Sequence, residues 1–208
     1  MFNYILENKE TFMELVRQHL EMVIWSAIAA LIMGVFLGIL ASRVRKVSRI
    51  IIMLANVIQS IPELVLLGLS IPLLGIGFLP AFCVLFLKEL LPILLNTYVG
   101  ITSVEPSTIE AARGMGMTGG QILFRIELPL ARKVIFTGFR IAVVQAVAIA
   151  ALGSVIGSGG LGDWIQQGMT LYDYNMIFAG AVPVTVLALI ADLIASRLIK
   201  VSTPKGVR

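Results

Sequence analysis

A chain of 208 residues of which 58% are hydrophobic and only 13% charged, with a mean hydropathy of +0.97, is far more apolar than a water-soluble domain of that length requires. The net charge of +4 and a pI near 9.5 do not point to nucleic acid, because the basic residues are scattered between apolar runs, as they are when Lys and Arg accumulate on the cytoplasmic side of a membrane. Cys83 is the single cysteine and His19 the single histidine, so neither an intrachain disulfide nor a Cys/His metal cluster can be built, and Cys83, within an apolar run, reads as packing.

The composition predicts an all-α polytopic membrane protein with one transmembrane domain over residues 1–208. Residues 1 to about 20 set Glu7, Glu10, Glu14 and Glu21 against Lys9 and Arg17. That is a poor n-region for a signal peptide, so an uncleaved external segment is expected. The first apolar run, Met22 to Ala41, is followed at once by Arg43, Arg45, Lys46 and Arg49, which places this loop in the cytoplasm and the N-terminus outside. A second span, about Val47 to Leu74, is interrupted by Gln59-Ser60-Ile61-Pro62-Glu63. Pro62 removes a helical hydrogen bond and predicts a kink or an unwound turn, tolerated at membrane depth only against protein or a water-filled path. The uncharged turn Gly75-Ile76-Gly77 fits the outer face, and the third span, about Leu79 to Thr102, returns to the inside with a proline at Pro92.

Between this span and the next lies a polar, glycine-broken stretch, Ser107 to Pro129. Ser107 with Glu110, and Thr118 with Gln121, have capping-box spacing, so two short helices are expected with a bend at Gly116, the second running to Leu128 and ended or redirected by Pro129. Ala111, Ala112 and Met115 keep one side of the first helix slim, which suits insertion into a groove of another protein. Arg113, Arg125, Arg132 and Lys133 mark the loop as cytoplasmic. The fourth span, about Val134 to Ile156, ends in Gly157-Ser158-Gly159-Gly160-Leu161-Gly162-Asp163-Trp164. A dinucleotide loop needs a preceding strand, absent here, so a tight outer turn is expected with Trp164, Tyr172 and Tyr174 at the membrane interface. The fifth span, about Met176 to Leu198, finishes with Arg197, Lys200, Lys205 and Arg208 inside.

Glu63, Lys88, Glu89 and Asp192 fall in or near these spans, where ionisable groups need partners or water. Counted inward from the outer turn, Glu63 and Lys88 differ in depth by only about 3 Å at the rise of an α-helix, so an ion pair between them is expected. The alternative is that Glu63 lines a wet cavity and Lys88 snorkels. Asp192, near Arg197 at the cytoplasmic end, reads as structural.

Glu110-Ala111-Ala112, three residues, Gly116, nine residues, Ile126, one residue and Leu128-Pro129 resembles the EAA signature of bacterial ABC-transporter importer permeases. Ile58 to Pro62, Ile71 to Gly77, Leu91 to Leu94 with Asn96-Thr97-Tyr98, and Gly157 to Asp163 look like the permeases of osmoprotectant uptake systems, from about residue 20 to 198. Leu95, before Asn96-Thr97-Tyr98, and Lys88-Glu89 depart from that pattern. The resemblance implies a type I importer permease fold of five transmembrane helices and a cytoplasmic coupling helix, in the cell membrane. It also implies two ATPase subunits, a second permease that is identical or paralogous, and an external substrate-binding protein. The cargo it implies is glycine betaine, carnitine or choline. With no GxxxxGK[ST] loop the chain is not expected to be an enzyme, and it needs no cofactor of its own, ATP and Mg belonging to the ATPase.

On this reading Glu110, Ala111, Ala112, Gly114, Met115 and Gly116 form the ATPase contact. Gln59, Ser60, Pro62 and Glu63, with Asn96, Tyr98 and Gln145, line the path. Gly159, Gly160, Asp163 and Trp164 dock the binding protein or form a plain interface turn. A quaternary ammonium has no N–H to donate and is held by aromatic faces and carboxylates, which are few in these spans, so selectivity is expected mainly in the binding protein. A methionine-type or other amino-acid importer and a scaffold protein without a conduit are the competing readings. A lone secondary transporter is disfavoured by the lack of room for internal repeats.

Overall fold

A computed structural model describes residues 1–202, without the side chains of residues 45–47. The expected inside positions of Lys205 and Arg208, and of the Arg45 and Lys46 side chains, lie outside the described residues. The described chain is helical throughout, in the order α1 (Phe2–Glu7), α2 (Lys9–Arg43), α3 (Arg45–Ser60), α4 (Glu63–Leu74), α5 (Phe78–Thr102), α6 (Pro106–Gly114), α7 (Gly119–Ile122), α8 (Leu128–Gly153), α9 (Gly162–Leu171) and α10 (Tyr174–Ser202). Four helical stretches, Lys9–Arg43, Phe78–Thr102, Gly119–Ile156 and Tyr174–Ser202, are long and apolar enough to cross a membrane. The pair Ser48–Ser60 and Glu63–Leu74, bent by 102°, is long and apolar enough only when taken together, as one broken span or a re-entrant loop.

The bend falls where the sequence breaks. Ile61, held extended by the proline that follows it, has ψ 127°, and Pro62 sits at the head of α4. The N-terminal segment differs from expectation: α2 is already helical at Lys9, and α1 folds back so that the Met1 ammonium donates to Asn175 Oδ1 at 2.8 Å. The other difference of extent is at Pro129, which ends nothing. The chain passes from α7 through a π-helical turn, Leu123–Glu127, directly into α8. Leu128 N–H donates to the Leu123 carbonyl five residues back, and Pro129, which has no N–H to give, occupies the first turn of α8, where none is required.

α5 is the central post, packed against α2 on one side and α8 on the other, with α10 against α8 and α4 against α5. The contacts are made by small residues at four-residue spacing: Ala30, Gly34 and Gly38 on α2, and Gly138, Ala142, Ala146 and Ala150 on α8, all buried. In lipid there is no hydrophobic drive between helices, so close backbone approach through such residues is what holds a bundle together. Conversely, large apolar side chains cover the outside: Ile32, Leu73 and Leu193 are each more than 60% exposed, as a lipid-facing surface requires.

Candidate functional site

The loop between α5 and α8 is built by local chemistry. The expected Ser107 capping box does not form: α6 begins at Pro106 with Glu105 as cap, and no side chain bonds the cap position. Proline in the first turn supplies the fixed φ instead, and leaves one fewer N–H in need of a partner. At the other end Met117 N–H reaches the Ala112 carbonyl (3.1 Å) and Gly116 N–H the Arg113 carbonyl (2.9 Å), a Schellman closure that requires the left-handed conformation Gly116 adopts at φ 81°. The second capping box is present, with Thr118 N–H donating to Gln121 Oε1 (2.8 Å) and Gln121 N–H to Thr118 Oγ1 (3.3 Å).

Of the residues expected to meet an ATPase, Glu110, Ala111, Gly114, Met115 and Gly116 are exposed, whereas Ala112 is fully buried and holds the loop together from inside. Met115 is 75% exposed, and so, at 68%, is Phe124, which sequence reasoning passed over. Two large apolar side chains standing out of a polar loop, beside Glu110, Arg113 and Arg125, have the make-up of a protein-docking surface. The loop is anchored to the first span by Arg43, whose guanidinium grips Glu127 through Nη1–Oε1 (3.1 Å) and Nη2–Oε2.

At the bend of the second span the expected Glu63–Lys88 pair is present, Nζ to Oε1 at 3.3 Å. Lys88 does more than pair. Its side chain is 2% exposed, and Nζ also donates to the carbonyls of Ile61 (2.6 Å) and Gln59 (3.2 Å), which the break deprives of helical partners. The Glu63 side chain, at the first turn of α4, remains 41% exposed. Gln59, Ser60 and Pro62 lie exposed at the same break. The remaining expected path residues are elsewhere: Asn96 turns its amide to the Pro92 carbonyl (2.8 Å), Tyr98 is half-buried on α5, and Gln145 on α8 buries an Oε1 that has no protein partner.

Two further polar partnerships, one buried and one partly exposed, were out of reach of sequence spacing. Glu89 is fully buried and receives the Ser26 hydroxyl at 2.6 Å. Asp192 is paired with Arg140 on α8, through Nε–Oδ1 at 2.6 Å and Nη2–Oδ2 at 2.9 Å.

The glycine segment after α8 is not a plain turn. It turns into the helix α9, and Trp164, expected at the membrane interface, is 3% exposed, edge-on to Tyr4 (centroids 5.2 Å) and stacked on Phe12 (5.7 Å). Only Tyr172 and Tyr174 stand exposed as expected. Gly160 N–H donates to Gln18 Oε1 at 3.0 Å, and a side chain at Gly162 would strike the Ala151 carbonyl, so α9 folds back on α8 only through these glycines. Gly160 and Trp164 are therefore interior, Gly159 is half-buried, and Asp163 lines an open groove of about 450 Å³ with Gln166, Gln167 and Thr170. Partial burial holds the Asp163 carboxyl above the usual carboxylate range.

The fold is shared with a chain of the MetNI methionine ABC transporter in inward-facing form, with a TM-score of 0.83 over 95% of this chain and 99% of that one at 24% identity. Curated relatives match along nearly the whole length. The carnitine transport permease protein OpuCB of Listeria monocytogenes is 40% identical over 99% of this chain and 94% of its own. The osmoprotectant import permease protein OsmW of Salmonella typhimurium is 41% identical over 99% and 98%. The choline transport system permease protein OpuBB of Bacillus subtilis is 40% identical over 92% and 88%. Residues 30–205 match the family described as the binding-protein-dependent transport system inner membrane component, and the chain belongs to that family.

Proposed function

We propose that this chain is the permease subunit of an ATP-driven importer of quaternary-amine osmoprotectants such as glycine betaine, carnitine and choline. It receives solute from an external binding protein and passes it inward. The observation that carries this reading is a sequence identity of about 40% along nearly the full length to permeases named for carnitine, choline and osmoprotectant transport. The likeness to a methionine transporter, at 24% identity, extends to the fold alone and gives the amino-acid alternative no comparable support.

The chain is a conduit and not an enzyme; ATP hydrolysis belongs to the partner ATPase. Two ATPase subunits and a second permease, identical or paralogous, complete the core, with the N-terminus and α9 outside and the α6–α7 loop in the cytoplasm. In this arrangement Glu110, Met115 and the surface around Gly116 seat in the ATPase, and Asp163 with its neighbours on α9 faces the binding protein. The exposed carboxylate of Glu63 and its companions at the break contribute to a permissive path, selectivity residing mainly in the binding protein. A Tyr98 or Glu63 substitution that changed which solute is carried would overturn that division of labour.

The test is ATP hydrolysis by the full complex in liposomes. Binding protein loaded with a quaternary amine should raise the rate several-fold, and Glu110→Arg, which sets a cation where the docking face presents a carboxylate, should abolish the stimulation by weakening the ATPase contact. Stimulation by methionine and by none of the quaternary amines would reject the cargo and keep the importer.

A further inference from the structure

The α6–α7 loop rejoins the membrane through the π-helical turn Leu123–Glu127, and the last residue of that turn, Glu127, is 5% exposed. Its carboxylate is held on both oxygens by Arg43, the last residue of α2. The same elements also share one apolar cluster, formed by Val35 and Ile39 of α2, Ile101 of α5, Leu123 of the turn and Ile135 of α8. The exposed loop surface is thus fastened to the first span, 84 residues away in sequence, by a forked ion pair. The fastening sits on a turn whose π-helical bonding is fixed: Leu128 N–H bonds five residues back, and position 129 has no N–H with which to restore an α-helical bond to Arg125.

We infer that Arg43 and Glu127 are positioning residues for transport, forming the joint through which displacement of the α6–α7 loop is carried into α2. The inference rests on the importer reading above. A fork of two parallel N–H···O bonds fixes orientation as well as distance, so it transmits rotation, which a single-point contact does not. The carboxylate end of the pair is shielded, with the Glu127 side chain 6% exposed, while the guanidinium that grips it stands 42% exposed.

The experiment uses the complete complex with its ATPase and binding-protein subunits in liposomes. It compares Arg43→Lys, which keeps the charge and loses the fork, Glu127→Gln, and the exchange R43E/E127R. Both single variants should assemble and hydrolyse ATP at a basal rate within about twofold of the parent, while solute moved per ATP falls about tenfold, the size of an ordinary coupling free energy. The exchange should recover most of the loss. Normal solute per ATP in both single variants overturns the joint, as does loss of assembly that the exchange does not repair, since that marks a structural staple. A second readout does not depend on the cargo. With Cys83→Ala and spin labels at positions 40 and 120, the latter open to a side chain, the 40–120 distance should stay fixed when the ATPase is trapped with ADP and vanadate, and should change on trapping in Glu127→Gln. A distance that changes equally in both proteins overturns the joint. A parent complex that hydrolyses ATP but answers to no quaternary amine overturns the substrate assignment and leaves the distance measurement to decide the joint.

Discussion

Gly138→Ala is expected to deplete folded protein sharply although it adds a single methyl group. A Cβ at this position on α8 would lie 2.6 Å from both the Asn96 Cβ and the Pro92 carbonyl oxygen of α5. Real Cβ atoms do not approach backbone that closely, and a carbonyl cannot move aside as the end of a flexible side chain can, so the two central helices must separate. Overpacking of this kind costs about 1–3 kcal/mol even where a core can adjust, and more where it cannot. In a membrane the loss is compounded, because close approach of small residues is what holds the helices to one another. Gly38→Ala, which would meet the Thr97 Cβ at 2.5 Å, should behave alike. Gly68→Ala, with nothing within 4 Å, should leave the thermal midpoint in detergent unchanged. Equal midpoints for all three would mean that backbone approach at Gly38 and Gly138 is not what holds α2 and α8 to α5.

Lys88→Met should be the most damaging of the charge substitutions, and more damaging than loss of its ionic partner. Methionine fills a similar volume but strands two partly buried backbone carbonyls, Gln59 and Ile61, at the bend, and an acceptor cut off from both donor and water costs about 1–3 kcal/mol. Glu63→Gln removes only one contact, at 3.3 Å, from a side chain that is 41% exposed, and an ion pair so open to its surroundings contributes about 1 kcal/mol or less. Detergent unfolding of both variants and of K88M/E63Q separates the terms: the double variant should be scarcely worse than Lys88→Met alone. If Glu63→Gln equals Lys88→Met in cost, the ion pair and not the carbonyl capping holds the bend.

The parts of this structure that sequence reading reached are those written in local spacing or in one-dimensional depth. The break at Gln59 to Glu63 follows from a proline, and the Glu63–Lys88 pair from equal distances along two neighbouring helices. Thr118 and Gln121 cap as their spacing requires. Ser107 does not, because Pro106 had already satisfied the first turn, so one start signal displaced another. Pro129 was read as a terminator because the rule assumes α-helical bonding, and a π turn removes the need for the bond that proline lacks. Arg43–Glu127 and Arg140–Asp192 join residues 84 and 52 apart, and no local pattern pairs them. Trp164 was assigned to the interface by residue type, whereas the aromatic residues that bury it, Tyr4 and Phe12, come from a segment read only as polar and external. The ladder of glycine and alanine every fourth residue on α2 and α8 was present in the sequence and would have identified the two faces that meet α5.

The burial of Trp164 also gives the protein two optically distinct indoles. Trp25 is 60% exposed on the apolar flank of α2, next to Phe78 and Phe82 along a lipid-facing groove, while Trp164 is sealed by two aromatic rings. Brominated acyl chains, which quench only on contact, should therefore extinguish the emission of Trp25 and spare that of Trp164. A Trp25→Phe protein would then carry a single indole whose quenching on lifting of α1 and the start of α2 reports the undocking of the N-terminal segment from α9.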